Sequence, residues 1–431
     1  MTSADQTSAD YGNGGPMPID APLTSAEIDR QLSALLPQLE EEYREFHAHP
    51  ELSMQEEWTA ARIEEHLRAL DLTPQRFGGT GVVAVIDNGT GPVVAYRADT
   101  DGLPIAEDTG LDYASTARGT LPDGTETPVM HGCGHDTHIT VALGIARLLT
   151  ANRGAWSGTV VMIFQPGEET AQGALAMLND GLWDQVPKPQ AVYGQHVWPG
   201  RAGHVSLSVG TAMAMSDCLR VTVHGKQAHG SQPEAAIDPI VLAAFMITRL
   251  QTVVSREISA REAVVVTIAT VKGGLKENII PDSAEFTMNI RTFSEEIREE
   301  VLAAIERIIK AEAQASGAPE PTIEEMYRFP RCYNSPSHAE ELLEVFAETL
   351  GEDKVKQTEP VTGSEDVGWF GDTIDVPYVY WFFGAYSEEK MATEGGPAGN
   401  HSPFFAPDEV GTTLGTGVRT GIAAILHELR R

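Results

Sequence analysis

Residues 130–138 read MHGCGHDTH, placing His131, Cys133, His135, Asp136 and His138 just ahead of an apolar run, VALGIARLL. Side chains of these types can build a structural zinc knuckle, activate a thiol nucleophile, or ligate catalytic metals. His131 and His135 are four apart, the spacing that sets two zinc-protease histidines on one helix face. Gly132 and Gly134 argue against a helix here, since each costs about 1 kcal/mol relative to alanine. The stretch therefore reads as a loop entering a helix from about Thr137, and across Gly134 the side chains of Cys133 and His135 can turn toward one point. A closed structural zinc site normally takes four ligands, often as two cysteine pairs, and the chain has no second pair. A thiol nucleophile wants a base and an oxyanion hole, and nothing else in the chain asks for one.

Three more stretches carry metal-ligating or proton-handling side chains. FQPGEET (164–170) follows the apolar run TVVMIF. It thus falls at the C-terminal end of an expected strand, where open α/β sheets place their ligands. The side chains of Glu168 and Glu169 diverge, so one can ligate a metal while the other handles protons. GQHVWPG (194–200) puts His196 at the end of another apolar strand, and GGPAGNHSPFF (395–405) puts His401 in a glycine-rich loop. Each alone has an ordinary reading: an acidic turn, a core histidine, a loop. Jointly they supply Cys133, His135, Glu169, His196 and His401, too many donors for one closed tetrahedral ion. Such a set suits two ions sharing a bridging ligand, with positions open to water. Thiolate with imidazole favours zinc, cobalt or nickel over magnesium or calcium. A pair of such ions would bring the pKa of bound water toward roughly 7.

These residues need a scaffold. At 431 residues the chain is long for a single core, so two domains are expected. Strand-like runs VVAVI (82–86), VVAYRA (93–98), TVVMIF (159–164) and AVYGQHV (191–197) alternate with helical patterns, which predicts an α/β unit with a mostly parallel sheet. Helical periodicity also covers Ala26 to Asp71, interrupted at Pro50. From Ser216 the order becomes βαββαβ over residues 218–328, the ferredoxin-like split unit. After Pro330 the α/β texture returns, with a strand over 376–384 and a closing helix over 412–430. The division that follows is a disordered tail over 1–22, a catalytic domain over 23–214 and 330–431, and an inserted domain over 215–329.

Thirty basic against 62 acidic residues give a net charge of −32, which repels nucleic acid and anionic membranes. No apolar run approaches the roughly 18–20 residues of a membrane span. The N-terminus lacks a basic start and an apolar core, so it does not read as a secretory signal. Cys133, Cys218 and Cys332 are odd in number and far apart, which points to a reduced cytoplasm.

In order, RADTDGLP (97–104), MHGCGHDTH (130–138), FQPGEE (164–169), GQHV (194–197) and NHSPFF (400–405) resemble the dinuclear-metal aminoacylase/carboxypeptidase family. The likeness is greatest to its hippurate hydrolase and auxin-conjugate amidohydrolase branch. The resemblance implies two divalent ions, zinc first, with manganese, cobalt or nickel as alternatives. It implies Cys133, His135, Glu169, His196 and His401 as ligands, Cys133 bridging, and Glu168 as general base. The inserted domain would be a lid and a dimer or tetramer interface. In it His229 would polarise the scissile carbonyl, in some relatives from across the dimer, while Asn278 and Arg291 bind substrate carboxylate and carbonyl groups. Arg291 could hold a carboxylate bidentately. Asp99 and Asp101 would orient a ligand or a loop, and Asp136 would stand behind a ligating histidine. His131 and His138 are taken as structural. The family pattern is altered at Thr100, Gly102 and Glu234, positions that bear on substrate preference. The implied reaction is hydrolysis of N-acyl amino acids or similar small amides. A dipeptidase or carboxypeptidase on the same centre, or a binding protein without catalysis, are the alternatives.

Overall fold

The computed structural model describes residues 23–431, and the expected tail over 1–22 lies outside the described residues. Helix α1 (Ser25–Ala48) starts at Thr24, whose side chain accepts the Glu27 N–H and so satisfies one orphan amide of the first turn. Its buried stripe, Leu32, Leu39, Tyr43 and Phe46, recurs at helical spacing. After the break at Pro50, α2 (Glu57–Arg68) leads into β1 (Gln75–Phe77), β2 (Gly81–Asn88) and β3 (Val93–Asp99). Then come α3 (His135–Ala151), β4 (Gly158–Gln165), α4 (Gly173–Asn179), β5 (Ala191–Arg201) and β6 (Val205–Leu207).

Two local expectations need correction. Helix α3 begins at His135 rather than near Thr137, because Gly134 takes a left-handed φ of 88° and turns the chain directly into the helix. A Cβ at Gly134 would lie 2.4 Å from Val197 Cγ1, so the close approach of this turn to β5 also demands glycine. Strand β5 continues to Arg201, so His196 sits inside a strand, not at its end.

The next stretch makes a second sheet. Strand β7 (Met215–His224), the short β8 (Ala228–His229), α5 (Pro239–Thr252), β9 (Val265–Gly273), the short β10 (Ile279–Ile280), β11 (Ser283–Thr292), α6 (Glu295–Ala315) and β12 (Thr322–Phe329) follow one another. The four long strands lie in the order β9-β11-β7-β12, with every pair antiparallel. With α5 and α6 this is the βαββαβ arrangement read from the pattern. It has its own core, including Val221, Val223, Met246, Phe286, Met288, Ile305 and Ile309.

The chain then returns through α7 (Pro336–Leu350), β13 (Val355–Gln357), β14 (Tyr378–Tyr386) and α8 (Val410–Glu428). Strands β13 and β14 complete the first sheet, ordered β1-β2-β4-β3-β5-β14-β6-β13. Its central strands β4, β3, β5 and β14 run parallel, and antiparallel pairs lie toward the edges. Parallel strands are covered on both faces, which is why they read as continuous apolar runs. One face packs on Leu39, Tyr43, Leu143, Val418 and Ile422 from α1, α3 and α8. The other packs on Met177, Trp183 and Phe370.

Candidate metal centre

Parallel strands share an end, and that end collects the polar residues. Strand β3 finishes at Asp99, and β4 finishes at Gln165 just before Glu168 and Glu169. His196 comes from within β5, while Cys133 and His135 come from the turn into α3. The last contributor is held by backbone contacts: His401 N–H donates to Gly132 O at 2.8 Å, and Asn400 Nδ2 donates to Cys133 O at 2.9 Å.

The five candidate ligands meet. Candidate ligand atoms of Cys133, Glu169 and His401 lie within 4.8 Å of one another, and so do those of His135, Glu168 and Glu169. Cys133 Sγ is 3.4 Å from His196 Nε2, and His401 Nε2 is 3.2 Å from Glu169 Oε1.

The hydrogen bonds also say which nitrogen is free. His196 Nδ1 lies 2.6 Å from Val197 O, which can only accept, so Nδ1 carries the proton and Nε2 turns its lone pair to Cys133. His135 Nδ1 faces Asp101 Oδ1 at 3.1 Å, while its buried Nε2 has no hydrogen-bond partner. Glu169 Oε1 is likewise buried; it makes no hydrogen bond of good geometry and faces His401 Nε2 at 3.2 Å. Imidazoles oriented through one nitrogen with the other left bare are arranged as metal ligands are. Burial, with the charges of Glu169 and Glu168, pushes the Cys133 thiol well up, so a thiolate here calls for cations beside it. Burial also drives His196 down and keeps it neutral. His135 feels burial too, but Asp99 and Asp101 outweigh it and raise its pKa to about 10. This cluster of thiol, carboxylate and imidazole donors fits a pair of borderline divalent ions.

Around the donors the aspartates take separate tasks. Asp101 is the orienting residue: besides His135 it accepts Glu169 N–H at 3.0 Å and Ser53 Oγ at 2.6 Å. Asp99 pairs with His138 Nδ1 and with Arg97 Nη1 at 2.7 Å, and lies 3.8 Å from His135 Nε2. His138 Nε2 in turn accepts Val197 N–H at 2.8 Å, so both its nitrogens are engaged; ligand-type atoms of Asp99, His135, His138 and His196 also lie within 4.8 Å of one another. Asp136 departs from expectation. It does not back a candidate ligand but accepts from His47 Nδ1 at 2.6 Å, because the first turn of α3 aims it toward α1. His131 is buried, and neither of its ring nitrogens has a hydrogen-bond partner.

A cavity of about 380 Å³ opens over the donors. Cys133, Glu168, Glu169, His196 and His401 line it from the large sheet. Ser216, Asn289, Arg291, Tyr327 and Phe329 line it from the four-stranded sheet. The cross-strand register explains that second wall. Arg291, Ser216 and Phe329 share one rank across β11, β7 and β12, and Asn289, Cys218 and Tyr327 share the rank two residues on. One face of this sheet therefore carries a polar stripe on β11 and an aromatic stripe on β12.

Arg291 does not present the open fork expected of it. Its Nε donates to Asn289 Oδ1 at 3.1 Å, and its Nη1 donates to Thr362 O at 2.6 Å and Ser364 Oγ at 3.1 Å. His229 and Asn278 do not line the cavity. His229 is exposed on β8 with Nδ1 2.7 Å from Ser231 Oγ, and Asn278 O accepts the N–H of its neighbour Gly230 at 2.8 Å.

Sequence reasoning also missed the support beneath Glu168. Arg97 is fully buried and reaches Asp99, Glu365 at 2.7 Å and Asp366 at 3.1 Å. Tyr380 Oη donates to Glu365 at 2.5 Å, and Gln165 Nε2 donates to Asp366 at 2.7 Å. The signal was present: an arginine inside the apolar run VVAYRA needs buried carboxylates, although nothing said which. Burial, then the charges of Glu365 and Glu169, pushes the Glu168 carboxyl well up.

Residues 95–420 match the peptidase family M20/M25/M40. The chain belongs to that family. As an M20 protein it is a hydrolase acting on amide bonds, in agreement with the resemblance of its five motifs. It is 35% identical over 392 residues to the N-acetylcysteine deacetylase of Bacillus subtilis, covering 89% of this chain and 96% of that protein. It is 34% identical over 383 residues to thermostable carboxypeptidase 1 of Saccharolobus solfataricus, covering 86% of this chain and 91% of that protein. Among solved structures, a dinuclear metal binding M20 peptidase of Bacillus subtilis superposes with a TM-score of 0.73 at 31% identity, covering 92% of this chain and 99% of the other. No helix among the described residues is long and apolar enough to cross a membrane.

Proposed function

We propose that this M20 chain is a metal-dependent amidohydrolase that cleaves N-acyl amino acids or similar small amide conjugates into a carboxylic acid and an amino acid. The observation that carries the reading is the convergence of bare imidazole nitrogens, the Cys133 thiol and two adjacent glutamates on one cavity that also holds an arginine. Cys133, His135, Glu169, His196 and His401 would hold two divalent ions, with zinc the first expectation. When bound, such ions polarise a carbonyl and acidify water. Glu168 takes a proton from the attacking water and returns it to the leaving nitrogen. Arg291 holds the free carboxylate of the substrate.

The alternative of a dipeptidase or carboxypeptidase gains support from the carboxypeptidase relative. It would need a free carboxylate for the substrate's α-amino group. Glu365, the cavity carboxylate other than the two glutamates after β4, is already bonded to Arg97, to Tyr380 and to the backbone N–H groups of Asp366 and Val367. That favours an uncharged acyl group over an ammonium.

Residues 215–329 form the lid in this reading, and a second copy completes the site. Strand β9 is an edge of its sheet and leaves Val265 and Val271 exposed, and α5 exposes Ile240, Val241 and Phe245 beside it. An apolar edge of this kind pairs with its own copy. Such pairing would bring His229 and Asn278 to the partner's cavity, which accounts for their distance from their own. Three buried free cysteines and the acidic balance fit a cytoplasmic enzyme acting on small molecules.

The test is Glu168→Ala. Metal content should stay at the wild-type level while hydrolysis of N-acetyl and N-benzoyl amino acids falls about 10²- to 10⁴-fold. Full activity in that variant would remove Glu168 from the mechanism. Absence of turnover by the metal-loaded wild type on both acyl amino acids and dipeptides would remove the function.

A further inference from the structure

Within the cavity the least explained group is Asn289. It carries no charge, its side-chain hydrogen bonds go to Ser216 and Arg291 rather than to a candidate metal ligand, and it lies half-buried on β11 two residues before Arg291. Residues i and i+2 of a strand share a face, so the two side chains stand side by side. Asn289 Oδ1 accepts Arg291 Nε at 3.1 Å, and Asn289 Nδ2 donates to Ser216 Oγ at 2.8 Å on the neighbouring strand. Those two bonds fix which end of the Asn289 amide is oxygen, because a guanidinium can only donate. On the far side of the guanidinium, Thr362 O and Ser364 Oγ take both hydrogens of Nη1. Three of the five N–H donors of Arg291 are thereby committed to the protein, and the two on Nη2 remain.

We propose that Asn289 is a positioning residue that, together with Ser364, fixes the Arg291 guanidinium so that Nη2 alone meets the substrate carboxylate. The inference rests on the carboxylate-binding role proposed for Arg291 above. Its chemical consequence is selectivity. A freely rotating arginine offers a carboxylate either of two bidentate edges, Nε with Nη2 or Nη1 with Nη2. Here Nε is blocked by Asn289 and Nη1 by the 362–364 loop. The site therefore takes a carboxylate arriving end-on at one nitrogen, with its direction set by the plane in which Asn289 holds the group. Substrates lacking the carboxylate gain nothing from this arrangement.

The test is a double-mutant cycle on wild type, Asn289→Ala, Arg291→Ala and the double variant. Each is assayed against an N-acyl amino acid and against the same compound with its carboxylate capped as an amide. Asn289→Ala should raise KM for the acid about tenfold with kcat within about twofold, and leave KM for the amide unchanged. Ser364→Ala should show the same pattern independently. Because Asn289 acts through Arg291, the double variant should show no further rise in KM for the acid beyond Arg291→Ala alone. Additive effects, or an equal rise for acid and amide, would overturn the proposal. So would an unchanged KM for Asn289→Ala beside a raised one for Arg291→Ala, which leaves the Arg291 role standing. If Arg291→Ala itself leaves KM for the acid unchanged, the Arg291 role falls and this inference with it. Matching melting temperatures across the set confirm that folding is intact.

Discussion

At the scale of single residues, the candidate metal donors are set by partners that were only partly visible in the pattern. Asp101 is the case with the largest consequence, since one carboxylate orients His135 through its ring and Glu169 through its backbone. Replacing Asp101 with Ala should lower metal affinity about 10- to 100-fold, read as metal retained after graded chelation. The clustering of the candidate donors was legible because cysteine, histidine and glutamate in four short motifs have few other joint uses. Asp136 was misassigned because adjacency to His135 in sequence says nothing of direction: on the first turn of a helix, neighbouring side chains point about 100° apart. Glu365 and Asp366 were invisible because they lie nearly 270 residues from Arg97, and no spacing rule links them.

At the scale of elements, the short turn at Gly134 decides where the centre can form. A Cβ there would strain a φ of 88° and also collide with Val197, next to His196. Gly134→Ala should therefore destabilise the fold by about 2–3 kcal/mol and loosen metal retention, checked by thermal denaturation with and without metal. Helix α1 is tied to α3 through His47, whose two ring nitrogens face Asp136 at 2.6 Å and Glu107 at 3.0 Å. Burial opposes its charge, yet the two carboxylates win and raise its pKa to about 9. A raised folded-state pKa means the stabilisation is complete below the unfolded value of about 6.5 and is lost as pH climbs through 9. The loss between those limits should amount to roughly 3 kcal/mol, and urea melts of His47→Gln should lack that slope between pH 6.5 and 9. Element types and order were legible from apolar runs and their spacing. The start of α3 was not, because the glycine that forbids a helix on one side of it creates the entry on the other.

At the scale of the whole molecule, the site is incomplete in one chain if His229 acts. Mixing His229→Ala chains with Glu168→Ala chains should then restore about a quarter of wild-type activity, since a two-fold mixed dimer assembles one intact site from two damaged subunits. No recovery after subunit exchange would return His229 to a local role. If two copies pair along β9 and α5 as proposed, a charge at Phe245 or Val271 should leave the chain monomeric, measured by light scattering. The separate cores have a consequence for how such an enzyme can diversify. The candidate metal ligands and Glu168 stand on cores built from residues outside 215–329, whereas Asn289, Arg291, Tyr327 and Phe329 hang from a sheet with a core of its own. In the proposed mechanism, substitutions that reshape the smaller core therefore change what is recognised without disturbing the machinery that cuts, so new substrate preferences can be explored one sheet at a time.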